Sequence, residues 1–170
     1  MNEDVKEFMG YHGTSRKNVR LIKKTGFNES NTGWLGTGVY FFEEDFELAL
    51  KWAKKKHDTH EVEFIKKKIR VDEKKLFDIS WPLAKQTQYY FKERERYMQE
   101  MIKRGYEVSV ENRKRYENEL INLICKTKKY DVVRACTYTY QKYDYIGGKE
   151  IDSVFANGIE ISVREPNCII

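Results

Sequence analysis

The apolar positions of the chain come in short runs with alternating strand and helix periods. The stretch from Glu7 to Tyr11 runs into His12-Gly13-Thr14-Ser15 and reads as a strand entering a turn. Ser15 is placed to cap a helix over Arg16 to Lys24, in which Val19 and Ile22 share a face and after which Gly26 marks the stop. A glycine-punctuated loop follows from Asn28 to Gly38, then Val39-Tyr40-Phe41-Phe42 as a buried strand, then a helix with Phe46, Ala49, Leu50 and Ala53 spaced to form one stripe. Glu61 to Val71 alternates as a strand whose parity slips at Phe64-Ile65, which predicts an edge position or a bulge, and Leu76 to Ile79 reads as a short strand.

From Leu83 to about Lys128 the texture changes to charged segments broken near Gly105. Their stripes are Tyr90, Arg94, Tyr97, Met98 and Met101, then Tyr116, Leu120 and Leu123, and they predict two amphipathic helices on the flank of the fold. Strand chemistry returns at Tyr130 to Ala135 and at Ile159 to Arg164, separated by a tyrosine-rich loop through Gly147-Gly148. In the last strand Ile159, Ile161 and Val163 form one face while Glu160 and Ser162 form the other, the pattern of a sheet with one solvated side. The class expected is α+β, with residues 1–170 as a single domain carrying a helical insertion at about 83–128.

Composition narrows the class of partner. The chain has 170 residues, enough for one core, and 14% aromatic content with 2 prolines is too much core material for a disordered chain. Lys and Arg number 32 against 27 Asp and Glu, a net charge of +5 that allows a basic face and excludes a histone-like polycation. The mean hydropathy of −0.78, the lack of a span-length apolar run and the acidic opening MNEDVKEF predict a cytoplasmic protein with no membrane partner. Cys125, Cys136 and Cys168 are widely spaced and form no CxxC pair, so reduced thiols are expected.

Three common chemistries find little footing. His57 and His60 have helical spacing but no accompanying ligand cluster, so they read as solvated residues at a helix end and no metal is expected. The run Gly33-Trp34-Leu35-Gly36-Thr37-Gly38 lacks the Lys-Ser/Thr of a phosphate-binding loop and precedes a strand rather than a helix. No serine occupies a nucleophile elbow, and Cys168 has no nearby base.

What remains is a set of three segments: Tyr11-His12-Gly13-Thr14, Gly36-Thr37-Gly38-Val39-Tyr40-Phe41, and Gly158-Ile159-Glu160-Ile161-Ser162-Val163-Arg164. In this order they resemble the ADP-ribosyltransferases of the poly(ADP-ribose) polymerase-like and diphtheria-toxin-like class, whose His-Tyr-Glu triad sits on three strands of a split sheet. The stretches Asp131-Val132-Val133-Arg134 and Val163 to Ile169 also look like a group of uncharacterised bacterial proteins thought to share that fold. The likeness covers roughly the first 55 and last 40 residues and leaves the helical middle unexplained. Gly158 stands where the arginine-modifying toxins carry the first carboxylate of a Glu-x-Glu pattern, which argues against arginine as acceptor.

The resemblance implies a split β-sheet with flanking helices and a two-helix insertion, NAD as co-substrate, and transfer of ADP-ribose to a macromolecular acceptor. It also implies a role as a bacterial toxin or phage-defence effector, with an antitoxin or immunity protein as a further partner. Glu160 would be the catalytic carboxylate, with His12 and Tyr40 completing the triad. His12 would bond the nicotinamide-ribose 2′-hydroxyl, Gly13 would offer backbone to the carboxamide, Tyr40 would stack on nicotinamide, Thr14 would lie near the adenosine ribose and Trp52 would face the other side of the ring.

The chemistry suits these residue types. Breaking the bond between nicotinamide and ribose builds positive charge on the sugar, as in glycoside hydrolysis, and a carboxylate bonded to a ribose hydroxyl strengthens as that charge grows. Each residue also has a plain structural alternative: a His beside Gly in a turn, Tyr40 in a strand core, Trp52 packing a turn from Leu48. The loop Thr137 to Tyr145 precedes the glutamate where the family meets its acceptor. There Tyr138, Tyr140 and Tyr143 around Lys142 offer π-faces for unpaired bases and a cation for phosphate, so nucleic acid is slightly favoured over protein as acceptor. A tyrosine-rich strand would give the same alternation. The competing functions are an NAD glycohydrolase of the same fold and a non-catalytic module that binds nucleic acid or protein.

Overall fold

The computed structural model describes residues 4–139, 145–147, 149–150 and 153–170. The elements run β1 (Val5–Ser15), α1 (Arg16–Thr25), β2 (Val39–Glu43), α2 (Phe46–His57), β3 (Val62–Asp72), β4 (Leu76–Asp78), α3 (Lys85–Lys103), α4 (Arg113–Lys128), β5 (Val132–Thr137), β6 (Tyr145–Ile146), β7 (Lys149–Glu150) and β8 (Gly158–Val163). Six strands join in one sheet of order β3-β1-β2-β8-β5-β4, antiparallel except for the parallel β4/β5 pair, so the α+β expectation holds. Among the described residues no helix is long and apolar enough to cross a membrane.

Local signals act as the residue types require. The Ser15 hydroxyl accepts from the Asn18 N–H at the start of α1, and Gly26, at φ 85°, returns its N–H to the Ile22 carbonyl at the end. Asp45 caps α2 by accepting from the Leu48 N–H. β3 is an edge strand, and it pairs with β1 without interruption from Val5↔Asp72 to Ser15↔Val62, so the parity slip at Phe64-Ile65 marks the edge and no bulge forms.

Two corrections to the stripes follow from packing. In α2 the buried positions are Leu48, Ala49 and Ala53, while Phe46 is exposed, because the ring of Phe46 leans along the sheet edge against Tyr11 and Phe64. In α4 Leu123 is exposed and Ile121, Ile124 and Cys125 turn inward with Leu120, so the buried stripe is shifted round the helix. The three cysteines are free, with Cys125 and Cys168 buried and Cys136 exposed.

The sheet is covered on both faces, which overturns the solvated side expected for β8. Ile161 and Val163 share a cluster with Val39, Phe41, Ile69, Val132 and Cys168. Ser162 is fully buried, and across the ladder it lies opposite Tyr40 and Val133, on the face where Phe77, Val133 and Ala135 meet Tyr90 of α3 and Leu120, Ile121 and Ile124 of α4. Phe42, Leu48 and Ala49 form a smaller cluster under α2, with Tyr11 and Trp52 against it. The helices α3 and α4 thus supply the lid over half of one sheet face.

Candidate functional site

β1 and β2 are joined by two residue pairs only, Gly10↔Glu43 and Tyr11↔Phe42, after which β1 continues to Ser15 with β3 as its strand partner. The sheet is therefore one pairing network, opened into a notch where the resemblance led to a split sheet. The imidazole of His12 occupies the notch. Its Nδ1 lies 2.7 Å from the carbonyl oxygen of Tyr40, the ladder acceptor that β1 no longer reaches, and its ring is edge-on to Phe27 and Phe41.

Burial is the main cause holding His12 below the usual histidine pKa, aided by the charges of Lys56 and His57 and opposed by the bond to Tyr40. The ring is neutral at physiological pH, and because a carbonyl can only accept, Nδ1 carries the proton. Nε2 is left as an acceptor. Gly13 follows, with no room for a side chain: a Cβ there would collide with the Ala49 carbonyl of α2. Its lack of a side chain is thus required by helix packing whatever its backbone binds.

The phenol of Tyr40 is held from the opposite strand. Its hydroxyl donates to the Gly36 carbonyl at 2.6 Å and accepts from the Leu35 N–H at 2.9 Å, and its ring tip fills the space a side chain at Gly33 would need. The loop that grips it is in turn tied to α4. Asn118 donates to the Gly33 carbonyl, and the Asn122 side-chain oxygen accepts from the Thr37 N–H and from Arg164. Burial raises the Tyr40 phenol far above its ordinary pKa, so it stays a donor.

Glu160 lies opposite Phe42 on β2 and Ala135 on β5. One carboxylate oxygen, Oε1, accepts from the hydroxyls of Thr137 at 2.9 Å and Thr139 at 3.3 Å. The two threonines are fixed by Asn157, which bonds both backbone groups of Thr139 and donates its own N–H to the Thr137 carbonyl. Among the described residues no hydrogen bond falls on Oε2. Burial raises the carboxyl above its usual range, and the two hydroxyl bonds and Lys114 draw it part of the way back.

One cavity of about 950 Å³ is bordered by His12, Tyr40 and Glu160, together with Gly13, Thr14 and Trp52. His12 comes from the sheet face of Phe41, and Tyr40 and Glu160 from the opposite face; the β1/β2 notch is what lets them share a space. Thr14 is buried, accepts from the Asn18 amide at 3.2 Å and lies 3.2 Å from Nε2 of His57. Trp52 packs edge-on to Phe42 and also borders the cavity, so both of its readings describe one position.

Of the acceptor-loop candidates, Tyr138 lines the same cavity, and Tyr140, Lys142 and Tyr143 lie outside the described residues. His57 corrects an expectation: it is half-buried at the end of α2, bonded to Thr14 and turned to the cavity. Lys56, Asn18 and Lys114 are further wall residues that the sequence did not single out; Lys56 closes the basic run Lys54-Lys55-Lys56, a pattern that a solvated helix face gives equally well. Among the described residues no group of His, Cys, Asp or Glu is gathered as a metal site.

No family model matches the chain, and no solved structure matches it significantly. A stretch of 78 residues is 35% identical to the uncharacterized protein MJ0359 of Methanocaldococcus jannaschii. The match covers 41% of this chain and 36% of the relative's length.

Proposed function

We propose that this chain is an NAD-dependent ADP-ribosyltransferase that moves ADP-ribose from NAD to a macromolecular acceptor. The observation that carries the reading is the meeting of His12, Tyr40 and Glu160, three residues drawn from β1, β2 and β8, on the walls of one cavity. Its volume, about 950 Å³, is at the upper end of the roughly 300–1,000 Å³ usual for small-molecule sites, as a dinucleotide requires.

The donor set fits that substrate. The free Nε2 of neutral His12 accepts from a ribose hydroxyl, and the Tyr40 ring, held at its hydroxyl by the Gly36 and Leu35 backbone, offers a face to the nicotinamide. The Oε2 atom of Glu160 accepts from the ribose 2′-hydroxyl. As the bond from ribose C1′ to the nicotinamide nitrogen breaks, its electron pair leaves with the ring, which departs neutral and needs no general acid. Positive charge grows on the sugar, and the fixed carboxylate of Glu160 opposes it. The acceptor nucleophile then bonds C1′ and loses its proton to solvent water.

Nucleic acid is the acceptor class this reading favours, on the tyrosines around Lys142, of which Tyr138 borders the cavity. The cellular role proposed is that of a bacterial toxin or phage-defence effector, paired with an antitoxin or immunity protein where the host must survive it. The experiment is radiolabelled NAD with pure protein, with and without lysate. Label transferred to material that resists protease and is lost to nuclease supports the reading. Label on a protein band overturns the acceptor, and nicotinamide release without any acceptor replaces the transferase by a hydrolase.

A further inference from the structure

The cavity carries more positive charge than the chemistry at Glu160 uses. Lys56, next to the last residue of α2, and Lys114, in the first turn of α4, both border it. Each rests on an indole, with the Lys56 ammonium 4.5 Å from the Trp52 ring centre and the Lys114 ammonium 5.6 Å from that of Trp34. Lys56 acts electrostatically on His12, Lys114 acts on Glu160, and the two lysines act on each other. Among the described residues neither takes part in a salt bridge.

Two like charges held across a cavity repel one another, and the arrangement becomes favourable when a polyanion lies between them. The helix dipole does not favour the placement of Lys114. The first turn of α4 holds Arg113, Lys114 and Arg115 with no acidic residue, beside the positive end of the helix dipole, where cations are unfavourable.

We infer that Lys56 and Lys114 clasp a diphosphate, the group joining the two nucleoside halves of the dinucleotide. The inference rests on the proposed function for the identity of that ligand. The diphosphate is favoured over an acceptor's phosphodiester because the charges of the two lysines reach His12 and Glu160, the residues assigned to the adjoining ribose. It makes α4, which the family likeness leaves unexplained, a part of the substrate site.

The test is calorimetric binding of ADP, inorganic pyrophosphate, adenosine and a single-stranded oligonucleotide to the full chain, with Lys56→Gln, Lys114→Gln and the matching Arg variants, alongside an assay of NAD cleavage by the wild type. Both side chains are exposed, so the variants retain the fold, and thermal melts verify it. Each Gln variant is expected to bind ADP and pyrophosphate about tenfold more weakly, the scale of a lost charge-assisted bond. Adenosine should be unaffected, and each Arg variant should stay within a few-fold of the wild type.

Absence of ADP and pyrophosphate binding in the wild type, or unchanged affinity in both Gln variants, overturns the clasp. So does a loss confined to single-stranded oligonucleotide, which makes the lysines acceptor contacts. If ADP binds through the lysines and NAD is not cleaved, the clasp stands and the transferase falls. If NAD is cleaved and the Gln variants bind ADP normally, the clasp alone falls.

Discussion

The Nδ1 atom of His12 lies 2.7 Å from the carbonyl oxygen of Tyr40, so a side chain from β1 closes a backbone bond that the two strands no longer make. That bond fixes the tautomer, aims Nε2 into the cavity and satisfies a carbonyl that would otherwise be buried without a donor. His12→Ala should therefore weaken NAD binding by calorimetry and lower the melting temperature slightly. Because the His12 pKa lies below 6.5, NAD affinity should be flat through neutral pH and decline only under 6.5, as the ring gains its second proton.

Glu160→Gln keeps the threonine bonds at Oε1 and turns an amide N–H, in place of the accepting Oε2, to the ribose 2′-hydroxyl, which accepts it, so NAD affinity should change little. Turnover should fall by roughly a hundred- to a thousandfold, the scale measured when one charge-stabilising group is removed. The carboxyl pKa is raised in the folded protein, so folding disfavours its charge, and stability is lost as pH rises from the unfolded value through the folded one. The Gln variant should consequently melt higher than wild type at pH 7, and the gap should close in acid.

Tyr40→Phe retains the ring and removes the hydroxyl that bonds the Gly36 carbonyl and the Leu35 N–H. A stability loss of about 1 kcal/mol is expected, with a few-fold rise in the KM for NAD. Tyr40→Ala removes the stacking face as well and should weaken NAD binding more severely in the same titration.

Gly33→Ala tests the loop from the other side. The added methyl occupies the position of the Tyr40 ring tip, so the loop or the ring has to move. Calorimetry should show weakened NAD affinity while far-UV circular dichroism stays native.

Away from the cavity, Arg134 donates to both oxygens of Glu43 and also to Asp78 and Ser80, tying β5 to β2 and β4. Arg134→Ala leaves two partly buried carboxylates without their cation and should cost roughly 3 kcal/mol in urea unfolding. Nicotinamide release at low temperature should persist, which separates a structural ion network from the site.

Local chemistry was legible in the chain wherever a residue acts on its own neighbours. Ser15, Gly26 and the edge character of β3 are short-range properties, and they appear as the patterns require. The triad residues were legible through resemblance and strand position. His57, Lys56 and Lys114 were not, because the end of α2 and the start of α4 border one cavity only in the folded chain, a relation of 58 residues between the two lysines that no local period encodes. Ser162 shows the same limit: its alternation with Ile161 is that of a half-solvated strand, and only the helices lying over it make it core.

The account is tested most directly by nicotinamide release from NAD in lysate, measured for the wild type and Glu160→Gln side by side. It requires release by the wild type that depends on lysate, falling by at least a hundredfold in the Gln variant while both bind NAD equally. Equal rates for the two proteins, or no release by either, would contradict it.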